Sequence, residues 1–206
     1  ITSVDSDHLD IYQNKERLIS AFSDFTNKIK SGGTLFLEEN IDMSVVNRDD
    51  ISVLNYGLNI TSDCKGTDIY ADKKTMRFQV ECNDNTFNDL RLNMGGVYNV
   101  VNAVASVSVA NLLEISSYKI IDGINTFMGI RRRFETHISS DNLVFIDDYA
   151  HHPKEVMETI NAVKQMYPER KITVVFQPHL HSRTKDFMNE FAHSLSLADE
   201  LILLDI

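Results

Sequence analysis

Tryptophan is absent from the 206 residues, proline occurs three times and cysteine twice. Cys64 and Cys82 make neither the set of bridges that staples small secreted domains nor a four-ligand zinc motif. A reducing, cytoplasmic compartment is therefore the expectation. No apolar run approaches the roughly 20 residues that a membrane helix needs. The stretch Ile1-Thr2-Ser3-Val4-Asp5 has neither a basic segment nor an apolar core, so it does not read as a signal peptide. Positive charge is scarce too, with 20 Lys and Arg against 30 Asp and Glu and a net charge of −10. That balance excludes the broad electrostatic footprint of a general nucleic-acid binder, but leaves room for a local basic cluster on a small anion. The phosphate-loop pattern G-x-x-x-x-G-K-[ST] is missing.

What is present is globular material, 43% hydrophobic and 24% charged, enough for one domain or two. Its punctuation is lopsided. Every glycine lies at or before Gly129, every proline at or after Pro153, and all histidines but His8 from His137 onward. Two parts with a boundary near Gly129 are expected. In the first, Leu18, Ile19, Phe22, Phe25 and Ile29 carry a helical period that Gly32-Gly33 ends. Residues 34–37 read as a buried strand, and the alternating runs from Val53 to Asn93 as an antiparallel meander. Residues 97–113 are apolar nearly all round, the mark of a buried helix, and Ser117 caps another. The second part alternates: strand 143–146, helix 153–166, strand 172–176, helix 184–197, strand 201–204. That order predicts a parallel α/β sheet.

Ligands of open α/β sheets gather beyond the carboxyl ends of the strands. There the chain places Asp147-Asp148-Tyr149-Ala150-His151-His152-Pro153 and Gln177-Pro178-His179-Leu180-His181-Ser182-Arg183, both leading into helix starts that favour anions. Carboxylates in such places hold ribose hydroxyls or magnesium, and histidines meet phosphate or move protons. The same residues also suit helix caps and solvated surface. Arg131-Arg132-Arg133 is either a solvated charge run or a phosphate clamp. Asn99, Asn102 and Ser106 share one face of the apolar helix, for local hydrogen bonds or for a base edge. Gly95-Gly96 permits close backbone approach. His8, between Asp7 and Asp10, is either part of a capping cluster or a metal ligand.

Four stretches, taken in order and spacing, resemble the Mur ligases: Gly95-Gly96-Val97-Tyr98-Asn99-Val100-Val101-Asn102-Ala103, Gly129-Ile130-Arg131-Arg132-Arg133-Phe134-Glu135, Ile146 to Pro153, and Phe176-Gln177-Pro178-His179 with Ser182-Arg183-Thr184. The segment from Asp7 to Tyr12 resembles the central domain of the same family. The resemblance implies an α/β chain in two pieces. Residues 1–128 would be the later part of a central ATP-binding domain with an antiparallel β segment. Residues 129–206 would be the first part of a Rossmann-like parallel α/β domain.

The resemblance further implies ATP and Mg2+ as cofactors, UDP-N-acetylmuramate and L-alanine as substrates, and an amide bond made through an acyl phosphate, with the protein supplying position and charge. No nucleic acid and no membrane enter, and no oligomeric state is read. It places magnesium on His8, the adenine on Asn99 and Asn102, and a nucleotide contact on Arg132 or Arg133. It places the ribose or phosphate side on Asp147, the reaction centre at His151 and His152, and the substrate carboxylate on Arg183. Two departures stand out. Tyr98 occupies a position that is usually histidine, and Leu180 one that is usually arginine. With the phosphate loop outside these residues, the chain is expected not to catalyse ligation alone. A ligase that attaches a preformed murein tripeptide and a non-catalytic nucleotide-binding module are the alternative readings. The Phe176-Gln177-Pro178-His179 stretch speaks against the first, and Leu180 speaks for the second.

Overall fold

A computed structural model describes residues 1–5 and 9–206. The chain folds into two compact units. The first comprises residues 1–68, 78–90 and 101–123, and the second residues 69–77, 91–100 and 124–206. None of the described helices is long and apolar enough to cross a membrane.

The described elements open with a short helix, α1 (Leu9–Tyr12), and then α2 (Lys15–Thr26), whose cap Asn14 accepts a hydrogen bond from the Arg17 amide at 2.9 Å. Thr26 is fully buried, and its hydroxyl donates to the carbonyls of Ser23 and Val45, which satisfies the polar group that burial would otherwise strand. Five strands, β1 (Thr34–Glu38), β2 (Ser52–Gly57), β3 (Cys64–Asp72), β4 (Thr75–Cys82) and β5 (Asn85–Leu92), form one sheet in sequence order. Strand β4 keeps a strict period of two, burying Met76, Phe78, Val80 and Cys82 and leaving Arg77, Gln79 and Glu81 outside the core. Cys82 is joined to Cys64 by a disulfide, a pairing that two isolated cysteines did not announce.

The expected meander from Val53 needs correction, because β2 runs parallel to β1, from Thr34↔Ser52 to Glu38↔Tyr56, and parallel to the start of β3. Alternation reports which face is buried and says nothing of direction. The long connection 39–51 returns the chain to the starting end of β1, as parallel pairing requires. Helix α3 (Val97–Leu112) is apolar as expected, with Val100, Val104 and Val107 fully buried. Helix α4 (Ser117–Thr126) follows.

In the second unit β6 (Glu135–Ser139) and β7 (Val144–Asp147) form an antiparallel ribbon in which Glu135 faces Asp147, with a bulge between Thr136 and Ile138. The turn between them is held by Ser140, whose amide donates to the Leu143 carbonyl at 2.8 Å, and by Arg170, which donates to the carbonyls of Ser140 and Asp141. Next come α5 (Pro153–Met166), β8 (Thr173–Phe176), α6 (His181–Asp186), α7 (Met188–Leu195) and β9 (Glu200–Leu203). Strands β8 and β9 pair in parallel, as the alternating order predicts.

Two details differ from the sequence reading. Among the described pairings β7 joins β6 rather than β8. Strand β6 itself has no apolar period to betray it, since Thr136, His137, Ile138 and Ser139 are all exposed. The helix expected over 184–197 breaks at Phe187, which sits outside helical geometry at φ −116° and packs on the core of Val156, Ile160, Phe191 and Leu195. A second core of Phe134, Ala162 and Met166 holds the base of the ribbon against α5.

Candidate functional site

The expected site residues concentrate where the ribbon leaves β7 and enters α5. The approach to the ribbon carries unusual backbone. Arg132 and Phe134 lie at φ 55° and 50°, the left-handed region that non-glycine residues occupy only when their surroundings over-determine it, at about 1–3 kcal/mol each. The surroundings do so here. The Arg132 carbonyl accepts from the Tyr149 amide at 2.7 Å, and the Phe134 amide donates to Asp148 Oδ2 at 2.7 Å.

The two adjacent aspartates therefore have different work. Asp148 also accepts from the Ala150 amide at 2.8 Å, so it ties the ribbon's entry to its exit. Burial pushes its carboxyl above the usual aspartate value, against the pull of those two amides. Asp147 faces outward instead, 3.7 Å from Arg132 Nε and 3.9 Å from His137 Nε2. The Arg132 guanidinium lies over the Tyr149 ring, 4.6 Å from its centroid, and Arg133 lies at 5.8 Å from the same ring. Asp147, Arg132, Arg133 and Tyr149 thus make an open face of paired charge and one aromatic plane. Such a set suits a ribose hydroxyl and phosphate oxygens.

Glu135, His137 and Asp147 bring their ligand atoms within 4.8 Å of one another, a grouping the sequence did not suggest because it depends on the pairing of Glu135 with Asp147 across the ribbon. Arg132 already supplies positive charge there. Its amide donates to Glu135 Oε2 at 2.8 Å and its guanidinium approaches Asp147.

His151 and His152 sit side by side but differ in use. The His152 ring is the N-cap of α5, accepting from the Lys154 amide at 3.4 Å and meeting Phe187 edge-on at 5.1 Å. Its Nε2 is buried without a hydrogen-bond partner. His151 lies beside Tyr149, with its Nδ1 2.8 Å from the Tyr149 carbonyl oxygen. Glu155 closes the capping box, accepting from the His151 amide at 2.9 Å and the His152 amide at 3.2 Å. Sequence reasoning missed Glu155, although a cap followed three residues later by Glu is itself a readable signal.

The remaining expected residues are placed elsewhere. Asn99 is buried and donates to the Gly95 carbonyl at 2.7 Å, the local-hydrogen-bond alternative. Asn102 is exposed and belongs to the first unit. A side chain at Gly95 would collide with the Phe134 ring and the Met166 sulfur, so that glycine admits core side chains. Gly96, at φ +91°, turns the chain into α3. Arg183 is buried on α6, while Leu180 is exposed at φ 71°. His8 lies outside the described residues.

The model of the Mur ligase middle domain matches residues 1–110, and that of the Mur ligase glutamate ligase domain matches residues 132–205. The chain belongs to the Mur ligase family. Two curated relatives are UDP-N-acetylmuramate--L-alanine ligases. That of Christiangramia forsetii is 39% identical over 206 residues and that of Cytophaga hutchinsonii 36%, and the match covers all of this chain and 44% of each relative. This Mur ligase chain thus spans under half the length of the relatives it matches. A crystal structure of UDP-N-acetylmuramate-alanine ligase from Thermotoga maritima superimposes with a TM-score of 0.75 at 26% identity, over 98% of this chain and 44% of that one. The MurF ligase of Thermotoga maritima in complex with ADP gives a TM-score of 0.81 at 20% identity, over 98% of this chain and 47% of that one, a likeness of fold.

Proposed function

We propose that this chain belongs to an ATP-dependent ligase that joins L-alanine to UDP-N-acetylmuramate in peptidoglycan synthesis, and that it acts in the cytoplasm. Residues 1–128 are the later part of the ATP-binding domain, and residues 129–206 the first part of the C-terminal ligase domain. The observation that carries the reading is the open face of Arg132, Arg133, Asp147 and Tyr149, exposed and charged on a ribbon held by Asp148.

ATP supplies the phosphoryl group that activates the sugar-lactyl carboxylate, and the alanine amine then displaces phosphate from the acyl phosphate. The residues of this chain position and neutralise rather than react covalently. Arg132 and Arg133 meet phosphate charge, and Asp147 the ribose. Asn99 and Asn102 are assigned to the adenine. His151 faces the reaction centre, supported by His152 at the start of α5, and Arg183 is assigned to the substrate carboxylate. His8 would hold the Mg2+ that accompanies ATP.

Phosphate release by the full-length ligase that carries this chain tests the reading, with ATP, Mg2+ and UDP-N-acetylmuramate present. Turnover with L-alanine is expected. Turnover only with an L-alanyl-γ-D-glutamyl-diamino acid tripeptide would move the assignment to a recycling ligase. Silence with both would leave a nucleotide-binding module, the reading that Leu180 favours.

A further inference from the structure

Glu155 touches more of the site than a helix cap needs. A capping-box glutamate returns one oxygen to the cap amide. Here Oε2 accepts from the His151 amide at 2.9 Å and the His152 amide at 3.2 Å, and it lies 3.4 Å from His151 Nδ1. The other oxygen, Oε1, lies 3.9 Å from Arg133 Nη1. The His151 Nδ1 is also 2.8 Å from the Tyr149 carbonyl, which can only accept, so the proton of the neutral ring sits on Nδ1. Held between a carbonyl and a carboxylate, the ring keeps one tautomer and one orientation, and its Nε2 is the nitrogen left with a lone pair. A carboxylate behind a working histidine fixes a ring in this way and raises its basicity.

We infer that Glu155 is a positioning residue that, together with the Tyr149 carbonyl, holds the tautomer and orientation of His151 and ties it to Arg133, so that a proton acceptor and a phosphate-binding cation are presented together. The role rests on the ligase reading for its chemistry, while the geometry stands on this chain alone.

Two measurements separate those layers. The first is imidazole nitrogen NMR on the chain as it stands, above the titration range of histidine. His151 is expected as the Nδ1–H tautomer in the wild type, and with a measurable added share of the Nε2–H form in Glu155→Gln, where the Tyr149 carbonyl holds the proton without the carboxylate beside it. Glutamine can still close a capping box, so circular dichroism and thermal melting of this variant should match the wild type. An Nε2–H tautomer in the wild type, or one unaltered by Glu155→Gln, overturns the inference. The second is steady-state kinetics of the full-length ligase. Glu155→Gln should lower kcat by at least about tenfold, as loss of an orienting partner does, with KM values for ATP and L-alanine held within about twofold. A kcat equal to that of the wild type overturns the positioning role. A wild-type enzyme without ligase activity overturns the functional reading instead and leaves the tautomer result to decide on Glu155.

Discussion

Asp148→Asn is the perturbation that best isolates how the site is held. The carboxylate accepts from the Phe134 and Ala150 amides at 2.7 and 2.8 Å. An asparagine side chain has one acceptor oxygen and a donating amide, so it can serve only one of them. A donor left unpaired in a partly buried place costs about 1–3 kcal/mol. Removal of the desolvated charge offsets part of this, so a net loss near 1 kcal/mol at pH 7 is expected. In a chain of this length that lowers Tm by roughly 2–4 °C.

The pH dependence carries its own signature. Burial raises the native carboxyl above its ordinary value of 3.8. A raised acid stabilises the fold fully below the unfolded value and loses that contribution as pH climbs through the native value. The wild type should therefore shed stability over that interval, and Asp148→Asn should lack the slope. Thermal melts from pH 3.5 to 7, with hydrogen exchange at the Phe134 amide, read both effects. A variant within about 1 °C of wild type at every pH, with the Phe134 amide equally protected, would refute the assignment of Asp148 as the tie of the ribbon.

Gly95→Ala drives a methyl group into Phe134 and Met166. A loss of about 1–3 kcal/mol in urea unfolding is expected from such overpacking. Asn99→Ala removes the bond to the Gly95 carbonyl and should cost about 1 kcal/mol. Asn102→Ala, at an exposed position, should stay within about 0.5 kcal/mol by the same measurement. Equal costs at the two asparagines would contradict their different burial. Finally, the chain by itself should release no phosphate from ATP in the presence of UDP-N-acetylmuramate and L-alanine, and turnover above buffer would overturn the expectation drawn from the missing phosphate loop.

Helices α2, α3 and α5 were legible because each carries its own signal: α2 between Asn14 and Gly32, α3 by its valines, and α5 by Pro153 at its first turn. Strand direction was legible for β8 and β9 but not at the start of the chain, since β1 and β2 pair in parallel on a pattern that equally fits a hairpin. Strand β6 escaped because both its faces meet water. The family resemblance pointed to Asp147, to Arg132 or Arg133, and to His151 and His152, but said nothing of what Asp148 does differently from its neighbour. That distinction comes from which amides lie within reach, a long-range fact of the fold. Glu155 went unnoticed for the opposite reason: its signal is local, and a histidine stood where a serine or threonine usually announces the box.

The tight turn 140–143, clamped by Arg170, bears on how this protein can drift over evolution. Along a strand, successive side chains point to opposite sides, and a slip of one residue exchanges them. If absorbed by sliding β7 along β6, a one-residue deletion in that turn would carry Asp148 to the outward place of Asp147, and a one-residue insertion would send Asp147 inward to the Phe134 amide. The gene would still encode two aspartates, and the substitution record would show nothing amiss. Neutral variation in turn length should therefore come in steps of two, or be absorbed in the bulge at 136–138, which makes that bulge the ribbon's shock absorber for length.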